Sequence, residues 1–141
     1  MKGCGLAPER VSGGMSSLLY VALGGAIGAC SRHLLGQALM RLSSGGFPYG
    51  TFTANIVGSF LMGLLAAWLA ARSSADSAAR LFLGVGLLGG FTTFSAFSLD
   101  AIMMLEKKAY GPFISYVGGS VALSLAALLL GLILARKIFA L

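Results

Sequence analysis

Apolar residues fall in four long runs, roughly Ser16–Leu35, Tyr49–Ala71, Leu81–Leu105 and Pro112–Ala135, divided by short breaks that hold charges, glycine or proline. Each run reaches the roughly 20 residues that a helix rising 1.5 Å per residue needs to cross about 30 Å of hydrocarbon. Stretches such as Leu64–Ala71 and Leu125–Ala135 are apolar on every face, so the two-residue period of a membrane β-barrel strand is absent. The pattern predicts an all-α membrane protein of four transmembrane helices with both termini on one side. The breaks, about Gly36–Pro48, Arg72–Arg80 and Glu106–Gly111, leave no room for a soluble domain between spans. Residues 16–141 are therefore expected to form a single four-helix domain, preceded by a poorly ordered extension over 1–15.

Polar positions inside the runs are costly and face a bundle interior, a partner or a water-filled path. In the first run, Gly24 and Gly28 form a GxxxG pair that admits another backbone at close range. Arg32 and His33 follow near its end, where an arginine serves either as an interfacial anchor or as a charge that draws anions inward. In the second run Asn55 shares a helix face with Gly58 and Ser59. Its amide suits interhelical bonding, and equally the hydration of an anion by donors that carry no fixed charge. In the fourth run Tyr116, Ser120 and Ser124 recur at every fourth residue and make one hydroxyl stripe. Helical serines also bond back to the preceding turn, so the stripe has a purely structural reading as well.

The third run is the most irregular. Gly84, Gly86, Gly89 and Gly90 each weaken a helix by about 1 kcal/mol relative to alanine, and Thr92 and Thr93 add hydroxyls that compete for backbone partners. Together they predict a helix broken near mid-membrane. Unwound backbone at that depth must be buried or line a cavity, and its freed carbonyls are oxygen ligands for a cation. Phe94 and Phe97 follow on one side of the resumed helix.

Composition narrows the function. The chain has 141 residues, 57% hydrophobic and 10% charged, with mean hydropathy +0.92. Its net charge of +6 is assigned to lipid headgroups at helix ends, and no nucleic-acid partner is expected. One histidine and four acids offer no carboxylate pair, metal cluster or nucleophile elbow, so an enzyme is not expected. Cys4 and Cys30 form no redox or metal pattern. The Ile27–Cys30 segment imitates a lipoprotein cleavage site, a reading set aside because the later spans require the first to stay.

Loop charges give almost no orientation signal. One side receives Lys2, Arg10, Arg72, Arg80, Arg136 and Lys137, and the other Arg32, Arg41, Lys107 and Lys108, six against four. Discounting Lys2, which lies far from the first span, leaves five against four. A chain without a charge preference can insert both ways, and opposed copies can pair as an antiparallel dimer. A single orientation set by the first helix is the alternative.

Four segments, "GGAIGACSRHLLG" from Gly24, "GTFTANIVGSF" from Gly50, "GGFTTFSAFSLD" from Gly89 and the Tyr116/Ser120/Ser124 stripe, resemble the Fluc (CrcB) fluoride channels, in order and over about residues 18 to 135. The resemblance implies an antiparallel dual-topology homodimer in the bacterial inner membrane, with two fluoride pathways and a structural sodium ion at the interface. It implies sodium ligation by the backbone carbonyls of Gly89 and Thr92, and paired pore-side rings at Phe94 and Phe97. It implies a pore amide at Asn55, a polar track at Tyr116, Ser120 and Ser124, and a vestibule arginine at Arg32. Asp100 stands where the family often has glutamate, and Phe91 where a smaller aliphatic residue is common.

The physics is compatible with that implication. Ring edges, an amide and hydroxyls offer weak donors without a trapping charge, which suits an anion that must enter and leave. No acid pair is present to couple protons, so passive conduction is expected rather than exchange; that the ion is fluoride, exported to relieve its toxicity, is what the resemblance implies. A small proton-coupled multidrug exporter would need a carboxylate in the first run, which has none. A non-transporting membrane scaffold could use the same glycines for packing alone.

Overall fold

The computed structural model describes residues 12–42, 46–71 and 77–139, and is wholly helical over the regular elements. Helix α1 spans Ser12–Leu42 and α2 spans Tyr49–Ala71. A short α3 (Ser77–Ala79) leads into a π-helix over Arg80–Leu88, followed by α4 (Gly89–Phe91), α5 (Phe94–Glu106) and α6 (Tyr110–Phe139). Four helical stretches, Gly14–Arg41, Tyr49–Ala71, Arg80–Glu106 and Tyr110–Ile138, are long and apolar enough to cross a membrane.

Two boundaries differ from the sequence expectation. Helix α1 begins at Ser12 and continues to Leu42, beyond the expected limits of Ser16 and Leu35. Hydropathy falls after Leu35 because Gln37 and Arg41 are polar, yet neither breaks a helix, and Arg41 in the last turn complements the dipole. The expected extension over 1–15 lies outside the described residues from 1 to 11; its last four residues belong to α1. Helix α6 begins at Tyr110, with Pro112 in its first turn, where no intrahelical N–H is needed.

The glycines of the third span behave differently from a simple break. Gly84 and Gly86 sit inside the wide π-helical turns, and the Gly89 N–H reaches back to Gly84 and Gly86 carbonyls. Their use is close approach. A Cβ on Gly24 would strike the Phe82 carbonyl oxygen, and one on Gly90 would lie 2.7 Å from the Gly25 carbonyl oxygen. Helix α1 thus meets the π-helix backbone to backbone, as small residues at i and i+4 permit.

Helices α2 and α6 make the other main contact, and they run in the same direction. Phe52 near the start of α2 lies against Gly119, while Gly63 further along lies against the backbone from Leu128 to Leu132. Between them, Phe97, Ala101, Met104 and Tyr116 form a buried cluster flanked by Phe47, Phe52, Phe113 and Val117. Even so, no more than 22% of the most apolar window of any span is buried inside the chain. Lipid or a second protein surface must cover the remainder.

The turn from α5 to α6 is tight. The N–H groups of Lys107, Lys108 and Ala109 donate to the carbonyls of Met103, Leu105 and Met104, and Lys108 is left-handed with φ 56°. A side chain in that conformation costs about 1 kcal/mol that glycine avoids. Lys108→Gly should therefore raise the thermal midpoint of the detergent-solubilised protein by a few degrees. A lowered midpoint would show that the lysine contributes more than its backbone costs.

Candidate functional site

Helical geometry stops at Phe91. Thr92 (φ −81°, ψ 156°) and Thr93 (φ −153°, ψ 126°) are extended, and α5 starts at Phe94. Both are β-branched residues, for which extended backbone is favourable. Asn55 holds the second of them in place: its Oδ1 accepts from the Thr93 N–H at 2.8 Å, and its Nδ2 donates to the Thr93 carbonyl at 3.0 Å. The amide therefore bonds the main chain on both sides of one residue, as a neighbouring strand would. One of its two N–H groups remains for another acceptor.

This clamp redistributes backbone partners. In a continuous helix the Gly89 carbonyl would accept from Thr93 N–H, and the Thr92 carbonyl from Ala96 N–H. The first amide is engaged by Asn55, and the second donates to the Thr93 hydroxyl at 3.2 Å, an N-cap for α5. Gly89 and Thr92 are thereby deprived of their helical donors. The Thr92 hydroxyl, in contrast, is spent on the Leu88 carbonyl at 2.9 Å.

A groove of about 500 Å³ runs beside this segment, between α2, the third span and α6. Of the site residues that the resemblance implies, Asn55, Gly89, Thr92, Phe94, Phe97, Ser120 and Ser124 line it. The Phe94 and Phe97 rings are 5.5 Å apart and tilted; Phe94 is 78% exposed, whereas Phe97 is buried. The hydroxyl oxygens of Ser120 and Ser124 are buried without a hydrogen-bond partner among the described residues. A buried unpaired hydroxyl costs about 1–3 kcal/mol, so both are donors in want of an acceptor. Ser115, one helix face away, shows the alternative by donating to the Gly111 carbonyl.

Tyr116 departs from the stripe. It is fully buried in the aromatic cluster, 5.3 Å from Phe97 between ring centres, and does not line the groove. Its hydroxyl donates to Asp100 Oδ2 at 3.2 Å, and Thr51 donates to the same oxygen at 3.0 Å. Asp100 and Thr51 are thus the polar residues that sequence reasoning left without a place. Their partners lie 16 and 49 positions away in the chain, and no local spacing reports such a contact.

Arg32 lies elsewhere. It lines a second cavity of about 390 Å³ between α1 and α2, together with His33, Gln37, Thr51 and Asp100. Its Nε is buried and unpartnered among the described residues, while His33 and Gln37 bond each other at 3.0 Å. Asp100 borders this cavity, and Tyr116, bonded to Asp100, stacks near Phe97 of the first one. The two cavities are therefore joined by one hydrogen bond and one ring contact.

Comparison with known proteins gives one consistent relationship. The family model described as CrcB-like protein, Camphor Resistance (CrcB), matches residues 19–132. A protein of Phenylobacterium zucineum named fluoride-specific ion channel FluC is 58% identical over 127 residues, covering 89% of this chain and all of its own length. Its namesake in Caulobacter vibrioides is 55% identical over the same coverage. That of Agrobacterium fabrum is 50% identical over 125 residues, again 89% of this chain and all of its own.

Proposed function

Because the chain belongs to the CrcB-like family, we propose that it is a multi-pass membrane protein that conducts fluoride passively out of the cell and limits its toxicity. The observation that carries the reading is the groove beside the Thr92–Thr93 interruption, whose lining brings together two buried, unpartnered serine hydroxyls and the Phe94 and Phe97 rings. Hydroxyl donors and ring edges stabilise a small anion, whereas a cation would seek ring faces and carboxylates. None of these groups carries a charge that would hold the anion, so binding stays compatible with release. The chemistry is conduction, with no bond made or broken, and the protein is read as a channel and not an enzyme. Arg32, at the second cavity, concentrates anions at the mouth of the path. Tyr116 sets the wall of that path through Phe97 and the Asp100 carboxylate and is not itself a groove-lining donor.

The functional unit is read as an antiparallel homodimer with one path per protomer, set in the bacterial inner membrane. The near-even loop charges, five against four after Lys2 is discounted, favour both insertions equally. The 78% exposure of Phe94 beside an open groove fits a path completed by a second copy. The donor set also fits a structural sodium ion: the Gly89 and Thr92 carbonyls have lost their helical donors, and with the same carbonyls of a second copy they would hold the cation. Bound there, the cation supplies positive charge that ties the two interrupted spans together.

Purified protein in potassium-loaded liposomes with an ionophore tests the reading. Fluoride should leave within seconds of ionophore addition, with chloride efflux at least a hundredfold slower on the order expected when rejection costs about 3 kcal/mol. Equal rates for the two anions would defeat the selectivity claim, and retention of fluoride would defeat the channel itself.

A further inference from the structure

The donors in the main groove can be accounted for one by one. Asn55 spends one N–H and its oxygen on Thr93, the Thr92 hydroxyl donates to Leu88, and the Thr93 hydroxyl accepts from Ala96 and pairs with the Ser95 hydroxyl at 3.3 Å. Ser120 and Ser124 are unspent on the α6 wall. One further hydroxyl lines the groove, that of Ser59 on α2, and it makes no hydrogen bond to any described residue. In this it differs from Ser98 and Ser115, which donate to the carbonyls of Phe94 and Gly111 four residues earlier.

The parallel packing of α2 and α6 fixes its level. Phe52 lies against Gly119, and a Cβ on Gly131 would lie 3.1 Å from Leu64 N and 3.3 Å from Gly63 Cα. Interpolating between these contacts sets Ser59 opposite the turn of α6 from Ser124 to Leu128. From that level onward the groove is lined by Met62, Leu125 and Leu128, and Ser59 is the last polar side chain on the α2 wall. An anion at this depth has Ser124 on one side, and would have only apolar atoms opposite were it not for Ser59.

We propose that Ser59 is an anion-contacting residue, and that with Ser124 it forms a two-walled hydroxyl site for a small, hard anion at the apolar end of the groove. The proposal rests on the channel reading. A hydroxyl donating to an anion is worth more than a neutral pair, because the acceptor is charged and the surroundings are poor in water. Loss of one such donor therefore slows passage where the path has fewest others.

The experiment is fluoride efflux from liposomes carrying wild-type protein, Ser59→Ala or Ser59→Thr, at several fluoride concentrations. Ser59→Ala removes the donor and is expected to lower the rate about tenfold, the size of one charge-assisted hydrogen bond. Ser59→Thr keeps the hydroxyl and should remain within about twofold of wild type. Alanine and threonine variants that both match wild type overturn the proposal, since the hydroxyl then does nothing. Variants that are both slowed equally also overturn it, because size and not the donor is then what matters. Failure of the wild type itself to release fluoride is a separate result that removes the channel reading and this site with it.

Discussion

Asn55→Asp should reduce fluoride flux by at least a hundredfold while the protein remains extractable and folded. The substitution keeps the oxygen that accepts from Thr93 N–H but replaces the donor that bonds the Thr93 carbonyl at 3.0 Å. Where a hydrogen bond stood, a carboxylate oxygen now faces a carbonyl oxygen in a part-buried setting. Losing a bond and leaving a buried acceptor unpaired cost about 1–3 kcal/mol, more when charge is involved. The new negative charge also lines the groove and repels the anion that is to pass. Together the two effects exceed about 3 kcal/mol, hence the hundredfold figure. The check is liposome efflux beside the elution profile in detergent. Flux within tenfold of wild type would mean that neither the Thr93 clamp nor the charge at this position governs conduction.

Gly28→Ala should be the most destabilising single methyl in the described chain. A Cβ at Gly28 would collide with the Leu87 carbonyl oxygen and lie 2.8 Å from the Phe91 nitrogen. Both obstacles are main chain, which cannot rotate away as a side-chain end can. Overpacking of this kind costs about 1–3 kcal/mol and reaches the upper end where the neighbour is rigid. Gly111→Ala is the matched control, with nothing within 4 Å of its added carbon. The control should be neutral or gain up to about 1 kcal/mol from helix propensity. Thermal unfolding of the two purified variants gives the comparison. Equal midpoints would show that α1 and the third span do not cross at backbone distance.

How far the sequence led depends on the range of the interaction concerned. The spans follow from local hydropathy, and the Gly24/Gly28 spacing announced a close crossing that involves Phe82, Leu87 and Phe91. The stripe on α6 had the right period, but only Ser120 and Ser124 face the groove. Tyr116 turns instead to Asp100, because its larger ring buries among Phe47, Phe52 and Phe97. Glycine propensity correctly marked the third span as irregular without specifying how. The π-helical widening at Arg80–Leu88 packs against α1 at backbone distance, and the extended pair Thr92–Thr93 is clamped by an amide 38 residues away. Such features arise from tertiary partners that compete with the helix's own hydrogen bonds, which no window of neighbouring residues contains.

The Asn55 clamp grips main-chain atoms alone, and this makes the two positions it joins unequal in their freedom to vary. At 93 the clamp is blind to the side chain. Any residue that accepts an extended backbone satisfies it, and the N-cap over Ala96 narrows that set only to serine, aspartate or asparagine beside threonine. At 55 the requirement is for a donor and an acceptor on one rigid fork at one distance, which glutamine overshoots and aspartate half meets. In a library of all substitutions at both sites, position 93 should accept several residues and position 55 one.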